Sequence, residues 1–263
     1  MATYGVNPGF SVDMTVFDFH DFASLTVIRA TRKSLLLGVG DEAAFSIKGS
    51  GFEYGRKWPV DGTMSAFTLL VEGEAAYTLK GLNAPIETLI KVMRSTPNDD
   101  DMKLIQKMLA KADIIQGAEG DDTLAGYGGN DKIDGLDGDD KILGGKGSDV
   151  LAGGLGVDML TGGPGADRFL FNAVGDSTVG TPDTITDLSQ AQGDLIDISN
   201  LASEKFSFLG ENGVMTGLGP EVAFVRPGDG FTYVYVSTTG DGTPEMEIAL
   251  TGDINLKEQD FVL

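Results

Sequence analysis

An aspartate recurs every nine residues from Asp113 to Asp167, through Asp122, Asp131, Asp140, Asp149 and Asp158, without a break. Two residues after each stands a large apolar side chain: Ile115, Leu124, Ile133, Ile142, Leu151, Leu160 and Phe169. Glycine opens every unit from the second on, at Gly117, Gly126, Gly135, Gly144, Gly153 and Gly162. It returns three residues later at Gly120, Gly129, Gly138, Gly147, Gly156 and Gly165. A short fixed period decides the architecture of the stretch that carries it, because one unit cannot bury its own apolar residue and must stack on its neighbours. Glycine serves where the backbone takes positive φ or approaches another group closely. The apolar residue points inward, since neighbours on a strand alternate faces.

Two units complete one turn of a flattened coil, so every second unit stacks at the strand spacing of ~4.8 Å. That puts Asp122, Asp140 and Asp158 in one row and Asp113, Asp131, Asp149 and Asp167 in another. Carboxylates so close repel by roughly 1 kcal/mol in water and by ~3–4 kcal/mol at an effective dielectric near 20. The coil therefore needs counter-charge to close. Calcium fits, because it accepts about 6–8 oxygens from carboxylates and backbone carbonyls in a flexible geometry. Magnesium wants a tighter octahedron and keeps its waters, so it substitutes poorly. A disordered glycine-rich acidic linker would not hold this register.

From Gly117 to Leu170 the units read GAEGDDTLA, GYGGNDKID, GLDGDDKIL, GGKGSDVLA, GGLGVDMLT and GGPGADRFL. This resembles the GGxGxDxUx nonapeptide of the RTX (repeats-in-toxin) proteins, with U a large apolar residue. The resemblance implies a parallel β-roll holding several calcium ions, roughly four to seven, bound by the repeat aspartates and by turn carbonyls at the glycine positions. Those aspartates and both glycine series are the expected metal positions. Met108 and Lys111 replace both glycines of the first unit, which sets Asp113 apart. Ala118 and Tyr127 replace the second glycine, which use of a carbonyl alone tolerates.

Further resemblance lies in Asp183–Leu201 and Thr239–Asp253, similar to the segment after the repeats in serralysin-type proteins, where Asp187 and Asp194 are expected to hold another ion. The ending Asp260-Phe261-Val262-Leu263 is similar to that of the serralysin group. It implies export through a type I exporter that reads a C-terminal signal.

The chain carries 40 acidic and 19 basic residues, a formal charge of −21, which disfavours nucleic acid and anionic membranes as partners. It has no cysteine and one histidine, so zinc or copper has almost no ligands. No apolar run is long enough for a transmembrane segment. The start MATYGVNPGFSVD lacks the basic and apolar parts of a secretory signal. Calcium sites of the extracellular kind, ~0.1–1 mM, would stay empty in cytosol. The expected location is secreted, extracellular or at the cell surface.

The expected fold class is mainly β. A β-rich N-terminal lobe occupies 1–83, a helical link and cap 84–112, the roll 113–170, and a β-rich C-terminal cap 171–263. In the link, Pro85 suits a first helical turn, ahead of the apolar face Ile86, Leu89, Ile90 and Met93. Met102, Leu104, Ile105, Met108 and Leu109 form a second face. No HExxH zinc motif exists, which excludes serralysin protease activity, and no Gly-x-Ser-x-Gly elbow exists. Gly175-Asp176-Ser177 has no histidine downstream and reads as a tight turn. His20 beside Asp18 and Asp21 reads as structural or solvated, and Tyr54 and Trp58 as packing rather than sugar-stacking residues.

The expected function is that of a secreted, calcium-folded, non-enzymatic protein with a structural, surface, self-assembling or adhesive role. The alternative is a soluble glycan- or ligand-binding module acting through the N-terminal lobe, with an unrecognised hydrolase behind it. The expected partners are the exporter, further copies of the chain, and cell-surface or glycan contacts.

Overall fold

The structure, a computed structural model, describes the strand backbone within 26–85 and the backbone and side chains of Gln106 and of 109–263. His20, the side chain of Tyr54, Trp58 and most of the expected helical link lie outside these residues.

Three-residue strands are too short to persist alone, so stacking creates them. Strands β6 (Ile114–Gln116), β8 (Lys132–Asp137), β10 (Val150–Leu155) and β12 (Arg168–Leu170) lie parallel in one wall. Strands β7 (Thr123–Ala125), β9 (Lys141–Leu143) and β11 (Met159–Thr161) form the opposite wall. In register, Ile115 faces Ile133, then Leu151, then Phe169. Across the coil, Leu124 faces Ile142 and then Leu160. All seven side chains are fully buried. Burial of a side chain this size stabilises by roughly 1.5–3 kcal/mol, which no isolated nonapeptide could realise. The mainly β, parallel roll required by the repeats is the observed architecture.

The walls continue past the last repeat. Strand β13 (Asp183–Ile185) adds parallel to β11 and seats Ile185 beside Leu160. Strand β14 (Leu195–Asp197) adds to β12 and seats Ile196 beside Phe169. Strand β15 (Ser207–Glu211) pairs parallel with β16 (Glu221–Val225). Strands β16, β17 (Phe231–Ser237) and β18 (Met246–Thr251) form an antiparallel meander, and β18 lies parallel on β13. Strand β19 (Phe261–Val262) closes the other wall on β14 and places Phe261 beside Ile196. A solenoid end left bare would expose a rung of core.

At the opposite end, β1 (Thr26–Thr31), β2 (Ser34–Val39), β3 (Ala43–Tyr54), β4 (Pro59–Val71) and β5 (Glu74–Pro85) form an antiparallel series. Strand β5 pairs antiparallel with β6, setting Leu79 opposite Ile115, so this edge of the roll is covered by a strand. Pro85, expected in a helix, instead ends β5 opposite Thr63. A proline fits a strand end, where its missing N–H need not break a ladder.

Candidate metal centre

The aspartates are placed by the strand they precede. Each stands two residues before a buried apolar anchor, so anchoring one fixes the other. Their side chains are buried, between 1% and 3% exposed. Each carboxylate then meets the turn stacked on it. Oδ1 of Asp131 accepts the backbone N–H of Asp113 at 2.8 Å, and Oδ1 of Asp140 accepts that of Asp122 at 2.7 Å. Asp149 does the same for Asp131, Asp158 for Asp140, and Asp167 for Asp149, at 2.8–2.9 Å. A hydrogen bond to a charged acceptor contributes roughly 1.5–3 kcal/mol, so this ladder itself holds turn to turn.

The other oxygen is different. Oδ2 of Asp131, Asp140, Asp149, Asp158 and Asp167 is buried without a hydrogen-bond partner, as are both oxygens of Asp113. Asp122 departs from this pattern, because its Oδ2 accepts the Ala118 N–H at 2.6 Å. From Asp131 to Asp167 the unpartnered oxygens face the first glycine of their own unit. A Cβ on Gly144 would stand 2.6 Å from Asp149 Oδ2 and 2.7 Å from the carbonyl oxygen of Gly162 in the next turn. Gly117 has the same relation to Asp122 Oδ2 and the Gly135 carbonyl, at 2.5 and 2.6 Å. Gly126 and Gly135 repeat it with the carbonyls of Gly144 and Gly153, and Gly153 and Gly162 lie against Asp158 and Asp167. Carboxylate and carbonyl oxygens from stacked turns thus converge on space that only glycine leaves open.

The second glycine series stacks on itself. Gly147 has φ 132°, and a Cβ there would collide with the Gly129 carbonyl. Gly156 and Gly165 stand in the same way over Gly138 and Gly147, and Gly138 over Gly120. Gly129 stands over Lys111, the residue that replaces glycine in the first unit.

Burial and like charge act on these acids together. Burial, with the charges of Asp158 and Asp122 behind it, pushes Asp140 up to about 8. Burial raises Asp131 to about 7, and Asp113, Asp158 and Asp167 to about 6. Asp149 is also raised by burial. A backbone N–H donated to the carboxylate opposes the rise at each of these except Asp113, where the Lys111 charge does so. The row is therefore short of positive charge. Among the described residues no three acidic or histidine side chains converge as a cluster. A bound cation would take one carboxylate oxygen per turn and complete its shell from carbonyls, a donor set that suits calcium.

Beyond the repeats the ladder runs on. Asp158 N–H donates to Asp183 Oδ1 at 2.9 Å, and Asp167 N–H to Asp194 Oδ1 at 3.0 Å. Asp183 keeps an unpartnered, buried Oδ2, and burial with the Asp158 charge pushes it up to about 8. Asp194 uses its Oδ2 for the Ser189 N–H at 2.8 Å. Asp187 spends both oxygens on the N–H groups of Gly162 and Gly163, at 2.9 and 2.8 Å. Of the two C-terminal acids expected from the sequence, Asp194 stands in the ladder and Asp187 caps a turn. Asp183 was missed, although Asp183-Thr184-Ile185 repeats the aspartate–x–apolar spacing of every unit.

A second ladder also escaped the sequence reading. Oδ1 of Asp121, Asn130 and Asp139 accepts the N–H of Asp139, Ser148 and Val157, each at 2.9 Å, on the exposed side of the turns. Its signal is the short polar residue just before the repeat aspartate, and it ends where Val157 and Ala166 take that place. Gly175-Asp176-Ser177 forms the expected turn, with Val174–Asp176 in a 3-10 helix. The buried Ser177 hydroxyl donates to the Glu247 carbonyl and accepts the Asp183 N–H at 2.8 Å.

Two walls of short parallel strands joined by aspartate-bearing turns define a parallel β-roll of nonapeptide repeats. Residues 117–263 match the family model described as Peptidase M10 serralysin C terminal, and the chain belongs to that family. The match is to the non-catalytic C-terminal part of those peptidases. Among solved structures the chain is similar to the AlgE6R3 subunit of the Azotobacter vinelandii mannuronan C5-epimerase. That likeness has 31% identity, covers 58% of this chain and 77% of that one, and has a TM-score of 0.32. The AlgE6R2 subunit of the same organism's epimerase is 28% identical, with 56% and 91% covered and a TM-score of 0.36. No curated protein matches the chain.

Proposed function

We propose that this is a secreted, calcium-binding, non-enzymatic protein whose roll closes when calcium binds outside the cell. The observation that carries this reading is the row of buried Oδ2 atoms without partners, five of which, from Asp131 to Asp167, face a glycine cradle. The ligands are the repeat aspartates with turn carbonyls at the glycine positions, and Asp183 joins them at the C-terminal end. Asp187 and Asp194, which already hold backbone N–H groups, are secondary contributors.

Calcium supplies the positive charge the carboxylate rows lack, while this chain's residues supply the register. Binding and folding are then one equilibrium, so the chain stays open where free calcium is scarce. That behaviour suits passage through a type I exporter in unfolded form, followed by folding at extracellular calcium of ~0.1–1 mM or above. The serralysin C-terminal family is a calcium-binding one, which supports the reading. A structural, surface or self-assembling role follows if folded copies associate.

The test is light scattering on a sizing column, with the full chain titrated from chelator to ~5 mM calcium, above the extracellular range. The expected result is an expanded chain that compacts cooperatively, with magnesium failing to substitute. Growth into large particles would point to calcium-driven assembly. No response to calcium would overturn the proposal. Asp140→Asn with Asp149→Asn is expected to raise the calcium midpoint by about tenfold or more.

A further inference from the structure

The outer face of the C-terminal meander carries side chains the calcium sites do not use. Along β17, Thr232, Val234 and Val236 are fully buried, while Phe231, Tyr233 and Tyr235 alternate onto the other face and are partly exposed. An outward face is normally polar; here it is a line of aromatic rings spaced roughly 7 Å apart along the strand. The Phe231 and Tyr233 rings lie 6.1 Å apart and 33° from coplanar.

The platform is fixed and low. Tyr233 donates its hydroxyl to Asp229 at 3.3 Å, and Tyr235 donates to Glu247 at 3.1 Å. The second Glu247 oxygen accepts the Gly180 N–H at 2.7 Å, which anchors that end. Across the strands Tyr233 lies between Ala249 and Val225, and Tyr235 between Ala223 and Glu247, with both alanines buried. The row through Tyr233 passes Ala249, Thr184 and the half-exposed Met159 before it meets Lys141. Arg226, next to Val225, is held by Glu211 at 2.6 Å and Asp253 at 3.2 Å.

From this arrangement we infer that the outer face of β16–β18 is a binding strip for a neutral polysaccharide. Sugar rings offer flat C–H faces that rest on aromatic rings and equatorial hydroxyls that donate to carboxylates, here the exposed Asp229. An aromatic side chain with a polar tip suits such a surface. The charge of the face selects among glycans. Carboxylates flank the rings and the chain carries −21, so a polyuronate or sulfated polymer is repelled and an uncharged one is not. The buried alanines beneath leave the rings themselves as the accessible line, on which a long chain lies along β17.

The test is affinity electrophoresis of the full chain in saturating calcium, through gels holding a soluble β-glucan, an α-glucan or a galactomannan, with a polymannuronate as the anionic comparison. Retardation by a neutral polymer is expected. Phe231→Ser and Tyr233→Ser are each expected to weaken it about tenfold, the effect of one lost stacking contact. The calcium midpoint for compaction should stay unchanged, which separates this strip from the metal sites. Saturation-transfer NMR on the unaltered protein with an oligosaccharide of the retarding polymer should place its C–H protons against tyrosine and phenylalanine. That measurement decides the matter should either variant fail to fold. No retardation by any neutral polymer, retardation by polymannuronate alone, or equal retardation of the variants would overturn the inference. So would variants that change particle size rather than glycan retention, since the face would then be a contact between copies.

Discussion

Asp131, Asp140, Asp149, Asp158 and Asp167 divide their oxygens between two tasks: Oδ1 holds the N–H of the turn before, and Oδ2 is left for a cation. Asparagine at Asp149 separates them, because its amide oxygen can still accept the Asp131 N–H while the charge is gone. Asp149→Asn is therefore expected to make the calcium-free roll more stable and calcium binding weaker, two opposite shifts in urea titrations with and without calcium. A loss of stability in both conditions would count against the division. Glycine positions are equally unequal. Gly147→Ala forces a Cβ into the Gly129 carbonyl at φ 132° and is expected to cost at least about 2–3 kcal/mol. At Gly128 a Cβ would meet nothing nearer than 3.7 Å, so Gly128→Ala should stay within about 1 kcal/mol of the parent. Denaturation midpoints in saturating calcium compare the two. The nine-residue pattern announced which residues share the stacked turns, but the pattern alone could not tell the two oxygens of one carboxylate apart.

At the scale of elements, what repeats could be read and what merely continues could not. The aspartate register and the apolar anchors predicted strands from Ile114 to Leu170, because one spacing serves both. Strands β13 and β14 carry the same aspartate–x–apolar spacing, yet irregular loops replace the glycine turns before them, so the period is lost while the stacking persists. Pro85 misled because a first helical turn and a strand end equally tolerate a missing N–H. The closing strand β19 depends on one side chain. Phe261 is 7% exposed, sits beside Ile196 and lies 5.6 Å from the Phe208 ring. Phe261→Ala is expected to destabilise the calcium-loaded protein by about 3 kcal/mol, read as a lowered midpoint in chemical denaturation. An unchanged midpoint would mean that β19 is not part of the cooperative unit.

The whole molecule carries its acidity inside as well as outside. The buried aspartates have folded pKa values above their unfolded ones, up to about 8 at Asp140 and Asp183. Such a rise stabilises the calcium-free fold below about pH 4 and withdraws that support as pH climbs through 6 to 8. The calcium-free chain is thus expected to compact on acidification from pH 8 to about 5, and the calcium requirement to fall with it; sizing and circular dichroism across that range check both. Opposite walls of the roll are built by alternate units, and each ladder bond joins units two apart. Parity follows from this. Inserting one nonapeptide would send every later strand to the opposite wall from its former stacking partners, whereas inserting two would add one whole rung and keep every strand on its wall. Chains of this design can lengthen or shorten only by even steps, like a spiral staircase that must gain whole revolutions to meet the same landing.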